Sequence, residues 1–127
     1  MIFKSVNHIA IIVSNLEVSR NFYIHKLGFR LIHELDRPER KSTIVYLDAG
    51  NCILELFSFP DPPERQAWPE ACGLRHLAFT VENFDSAIER LNNMNIATEP
   101  VRTDARTGKK MTFFKDPDNL PLEVCEA

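Results

Sequence analysis

The chain has 127 residues, 44% of them hydrophobic and 26% charged, and a formal net charge of −3 at pH 7. That size suits one domain, or two small half-modules sharing a core, with the composition of an ordinary globular protein. Basic residues scattered among a slight excess of acids give no nucleic-acid or membrane-surface footprint, and no apolar run is long enough for a transmembrane helix.

The start, MIFKSVNHIAIIV, has too short an apolar stretch for a signal peptide and no small-residue cleavage site. Val6 to Val13 reads as a strand. A helix follows over LEVSRNFYIHKL, started by a Ser14–Glu17 capping box or by Asn15, and stopped by Gly28 as a left-handed cap. Its spacing puts Leu16, Ser19, Phe22, Tyr23 and Leu27 on one side. Strands are expected over FRLIHELD, STIVYLD and CILELFSF, with a turn at Asp48–Asn51 and a solvated DRPERK segment between the first two. SFPDPPERQAWPEACG, Ser58 to Gly73, holds four of the eight prolines and reads as a stiff extended connector. Beyond it the order returns: strand His76–Val81, helix Asn83–Asn92, then strands near Thr98–Arg102, Lys110–Lys115 and Pro121–Cys125.

The second half is a copy of the first at an offset of 68. His8, Ala10 and Val13 fall on His76, Ala78 and Val81, and YLDAGNCILEL falls on FKDPDNLPLEV, so that Glu55 falls on Glu123. The expected fold is α+β: two βαβββ modules in tandem, about 5–59 and 74–126 with a connector of about 60–73, forming a curved mixed sheet or half-barrel within a single domain of 1–127.

Each copy therefore carries a histidine and, 47 positions later, a glutamate, both polar residues within apolar strands. Strand alternation puts His8 on a face with Ala10 and Ile12, and Glu55 on a face with Ile53 and Phe57. Glutamate in such company is costly without a partner or a cation. If the copies are related by a pseudo-twofold, His8, Glu55, His76 and Glu123 converge as two imidazoles and two carboxylates, a good ligand set for one divalent metal ion with positions left for substrate. The small Ala10 and Ala78 leave room beside them. His25 and His33 have no histidine at the offset position, and His25 suits a helix C-terminus without further role. The three cysteines, Cys52, Cys72 and Cys125, are odd in number and widely spaced. They form neither a disulfide framework nor a zinc pair, which points to a reducing cytoplasm, with Cys52 and Cys125 read as small buried hydrophobes.

The double βαβββ repeat, the RNFYIHKLGF helix end and the DPDNLPLEV turn and strand resemble the vicinal oxygen chelate superfamily over Ser5 to Glu126. The His/Glu/His/Glu set resembles its glyoxalase I branch; relatives that are extradiol dioxygenases or thiol transferases typically use two His and one Glu, and methylmalonyl-CoA epimerases usually carry Gln at the position of Glu55. The stretch LELFSFPDPPER…PEACGLRHLAF is similar to short bacterial glyoxalase-like proteins. The resemblance implies a lyase or isomerase of the lactoylglutathione lyase kind, using nickel, cobalt or zinc. One glutamate, Glu123 first and Glu55 second, would move a proton next to a metal-chelated carbonyl through an enediolate. An acyl-CoA-type epimerase, a thiol transferase and a non-catalytic small-ligand binder are the alternatives within the superfamily.

Two positions depart from the glyoxalase I pattern: Ile12 stands where an arginine commonly holds the glutathione glutamyl group, and FSF follows the first glutamate where an asparagine is common. Phe57, Phe59, Arg75 and Phe114 are the candidate substrate-binding residues, with Arg102, Arg106 and Lys109 as further cations for an anionic tail. The expected partners are a small-molecule substrate and, by resemblance and because sheet edges and apolar faces need cover, a second copy in a homodimer.

Overall fold

Period-two alternation builds the first sheet. Strands β1 (His8–Val13), β2 (Arg30–Arg37), β3 (Ser42–Asp48) and β4 (Ile53–Ser58) lie in the order β1-β4-β3-β2, with β1 and β4 parallel and the other pairs antiparallel. One face of this sheet carries Ile11, Val13, Val45, Leu47, Leu54 and Leu56, all buried. Helix α1 (Leu16–Arg20), which packs on β4, and the turn after it contribute Ser19, Phe22 and Tyr23 to the same core. The computed structural model describes all residues 1–127 in two compact units, Met1–Glu64 and Arg65–Ala127.

Asn15 caps α1: its backbone is extended and its side chain accepts from Val18 N–H at 3.1 Å. The expected single helix widens over Asn21–Lys26, where Leu27 N–H donates to Phe22 C=O, a π-helical i→i−5 bond of 2.9 Å. The extra residue lets adjacent Phe22 and Tyr23 both turn inward. Gly28, at φ 82°, ends the segment in the left-handed region, as its position promised.

The second unit repeats the plan with β5 (Leu77–Val81), α2 (Phe84–Asn93), β6 (Arg102–Thr103), β7 (Lys110–Lys115) and β8 (Pro121–Glu126), in sheet order β5-β8-β7-β6. Asn83 caps α2, and Phe84, Leu91, Ile96, Phe114, Leu120, Leu122 and Val124 form the core. The expected strand at Thr98–Arg102 is reduced to the Arg102–Thr103 pair. Upstream, Glu99 still pairs with β7 through its N–H to Phe113 C=O, but Pro100 has no N–H to continue the ladder. The architecture is α+β with two four-stranded mixed sheets. No helix is long and apolar enough to cross a membrane.

The connector divides at Glu64/Arg65 between the units. Its second half is not extended as expected. Arg65 Nη2 donates to the carbonyls of Leu74 and Arg75 at 2.7 and 2.9 Å, which closes that half into a loop.

The repeat slips by one residue at the β3–β4 and β7–β8 hairpins. In the first unit Asp48 pairs with Ile53, and Ala49 N–H closes on Cys52 C=O. In the second, Lys115 pairs with Pro121, and Asp116 N–H closes on Leu120 C=O. The second loop is one residue longer and is held by Asp116 Oδ1, which accepts from Asp118 and Leu120 N–H. Before these turns the structural offset is therefore 67, not 68: Tyr46 faces Glu55, and Phe113 faces Glu123.

Candidate functional site

Each unit brings its own histidine to its own glutamate. In the first, β1 runs parallel to β4 with Ala10 beside Glu55, which leaves His8 one step upstream on the same face. His8 Nε2 lies 3.4 Å from Glu55 Oε2. In the second, Ala78 stands beside Glu123, and His76, just ahead of β5, puts Nε2 2.9 Å from Glu123 Oε2. Both glutamates are buried, at 9% and 7% exposure, while the imidazoles reach solvent. An open carboxylate facing water, the ordinary alternative for a glutamate near a turn, is not what the chain builds. Neither pair is completed to a metal-holding group by a third His, Cys, Asp or Glu.

The partners of these groups set their orientation. His8 Nδ1 is 2.7 Å from Asn7 Oδ1. With Nδ1 engaged there, Nε2 is the ring nitrogen that faces Glu55 Oε2. Glu123 Oε1 accepts a 3.3 Å bond from Cys125 Sγ, which leaves Oε2 for His76. Burial first, and then Glu123, push the Cys125 thiol up to about 11, so it is a neutral donor and not a nucleophile.

The face of the first sheet that bears Glu55 is otherwise aromatic and aliphatic. Across the first sheet one row reads Ala10, Glu55, Tyr46, His33. His33 packs on Tyr46 with ring centroids 5.8 Å apart. The repeat gives it no histidine counterpart at the offset of 68. A β-bulge between Leu31 and His33 moves it from the alternation its neighbours suggest onto the glutamate face, and nothing in the alternation pattern announces that bulge. The next row carries Phe57, whose ring stacks on that of Phe59 with centroids 5.9 Å apart.

Phe114 is a correction. It is in register with Leu122, on the face opposite Glu123, and only 5% exposed, so it belongs to the core. The extra residue in the Asp116–Leu120 turn hands the site position to Phe113, which meets the His76 ring edge to face at 5.1 Å. Arg102 lies 5.3 Å over the Phe113 ring and is paired with Glu99. Arg75 is exposed at the end of the connector.

Residues 5–124 match the family model of the glyoxalase, bleomycin resistance protein and dioxygenase superfamily. The chain is 58% identical to the uncharacterized protein YwkD of Bacillus subtilis, over 99% of both chains, and 51% identical to the uncharacterized protein YaeR of Escherichia coli, over 97% of this chain and 96% of that one. A crystal structure of a glyoxalase family protein from Enterococcus faecalis superposes with a TM-score of 0.92 at 50% identity, covering 99% of this chain and all of that one. More distant relatives include a lactoylglutathione lyase of Salmonella typhimurium (29% identical; 94% of this chain, 90% of that one), a metallothiol transferase FosB of Staphylococcus saprophyticus (29%; 95% and 76%) and the human mitochondrial methylmalonyl-CoA epimerase (28%; 96% and 73%).

Proposed function

We propose that this chain, which belongs to the glyoxalase, bleomycin resistance protein and dioxygenase superfamily, is a divalent-metal-dependent lyase or isomerase that moves a proton between carbons adjacent to a carbonyl. One observation carries the reading: a buried glutamate set against an imidazole occurs once in each unit, 3.4 Å apart in His8–Glu55 and 2.9 Å apart in His76–Glu123. The donor chemistry fits a metal of the nickel, cobalt or zinc type. Two imidazole nitrogens and two carboxylate oxygens balance a double positive charge, and the Asn7 bond to Nδ1 leaves His8 Nε2 as the nitrogen on the Glu55 side. His8, Glu55, His76 and Glu123 are the proposed ligands.

The ion, when bound, supplies Lewis-acid polarisation of a substrate carbonyl oxygen. The chain supplies the proton carrier. Glu123 is the first choice, because Cys125 and His76 hold its two oxygens in place and its burial keeps competing water away. Glu55 is the second. Ala10 and Ala78 keep the strand beside each glutamate low, and Tyr46 and Phe113 wall the two glutamates laterally. The exposed Ile12, where a glutathione-binding arginine commonly stands, favours a substrate other than a glutathione adduct. The same reading takes the protein as a cytoplasmic homodimer, whose second copy would cover the apolar Leu31, Ile32 and Leu35 on edge strand β2.

The test is elemental analysis of the purified protein, followed by assay of metal-loaded protein with hemithioacetals of several thiols. Metal-dependent turnover is expected. Its absence with every metal and thiol removes the lyase, and deuterium wash-in at the α-carbon of an acyl-CoA then decides for the epimerase.

A further inference from the structure

The glutamate face of the first sheet also holds a guanidinium with no anion. Arg37 ends β2 in register with Ser42, and Leu35, Ile44 and Phe57 form the row between it and the row of Glu55. Its guanidinium carbon sits 5.2 Å from the centroid of the Phe57 ring and 5.9 Å from that of Phe59, and these two rings are stacked within 14° of parallel. Nη2 donates to Ser42 Oγ at 2.9 Å. Nε is buried without a hydrogen-bond partner, and no carboxylate lies within ion-pair distance. Arg20, Arg30 and Arg102, by contrast, are each paired with an acidic side chain.

An arginine held within cation–π distance of two phenyl rings is fixed in position without having its charge neutralised. Its planar fork keeps unused donors for a planar bidentate acceptor, which is the geometry of a carboxylate. We propose that Arg37 anchors a carboxylate at the far end of the substrate, with Phe57 and Phe59 as the shelf beneath it. The proposal rests on the reading of the site above and narrows the substrate class: a small acid whose carbonyl end lies at Glu55 and whose distal carboxylate lies over Phe57. Two residues of strand separate those positions, roughly 7 Å at 3.4 Å per residue. A five-carbon 2-oxo diacid is about that long.

The experiment is calorimetric titration of the full-length, metal-loaded protein with 2-oxoglutarate and with 2-oxopentanoate, the same chain without the distal carboxylate. The diacid is expected to bind about tenfold tighter. Arg37→Met, whose flexible side chain can still cover the phenyl shelf, is expected to bring that ratio to about one without weakening the monoacid. Arg37→Lys keeps the charge and loses the fork, and is expected to leave a ratio of about three; it decides the matter if the Met variant does not fold. Equal affinities in the parent protein, a ratio that survives both substitutions, or no binding of either acid at millimolar concentration overturns the proposal. His8→Ala separates the two readings: it is expected to weaken both acids by the same factor. If it leaves both affinities unchanged while Arg37→Met abolishes the ratio, the metal reading fails and the anion anchor stands.

Discussion

His76 and Glu123 lie 2.9 Å apart although they belong to opposite ends of the second unit's chain, because β5 and β8 are neighbours and parallel. The same pairing of β1 with β4 brings His8 to Glu55. The sheet order converts a sequence separation of 47 into a contact twice over.

If Glu123 carries the proton, Glu123→Gln removes the base while preserving shape and most hydrogen bonds. Turnover of metal-loaded protein is expected to fall by roughly 10²–10⁴, with the melting temperature little changed. Glu55→Gln serves as the comparison. A larger loss there than at Glu123 reverses the assignment of the base.

Asn7→Ala leaves His8 free to rotate and to change tautomer. Metal affinity is expected to drop roughly 10- to 100-fold, measured by competition with a chromophoric chelator. The position corresponding to Asn7 in the second unit is Arg75, so the two imidazoles are not oriented by the same kind of group. Unchanged affinity would show that Asn7 Oδ1, at 2.7 Å, does not position the ring.

Phe113 and Phe114 are neighbours with opposite duties. Phe114→Ala opens the core and is expected to cost roughly 3–5 kcal/mol in denaturant unfolding. Phe113→Ala, on the His76 side, is expected to cost less than half as much and to change ligand binding instead. Equal stability losses would contradict the register of β7 on β8.

Backbone N–H groups, of Thr107 first and then Arg106, hold the Asp104 carboxyl below its ordinary 3.8. A carboxyl whose folded value lies below its unfolded one adds stability above the unfolded value, and loses it as pH falls through the folded one. Asp104→Asn, a stand-in for the protonated form, is expected to melt lower than the parent at pH 7, with the gap closing below about pH 4. A gap independent of pH between 7 and 3 would remove the carboxylate's charge from the account.

The sequence alone determined the repeat, the two βαβββ orders, most strand positions and the four polar residues set into apolar strands. These are local or periodic signals: alternation gives strands, caps and glycines give ends, and an offset of 68 marks the histidines and glutamates at once. Only the tertiary structure decided which atoms meet. The one-residue difference between the Ala49–Cys52 and Asp116–Leu120 turns reassigned Phe113 and Phe114, since a shift of one residue exchanges the faces of a strand. The bulge in β2 put His33 beside Tyr46. Arg37, in a segment that reads as solvated, found its place over Phe57 and Phe59 from a strand that is not its sequence neighbour. Bulges, turn lengths and cross-strand stacking depend on pairing energies between distant segments, and those are not written in the period of any one of them.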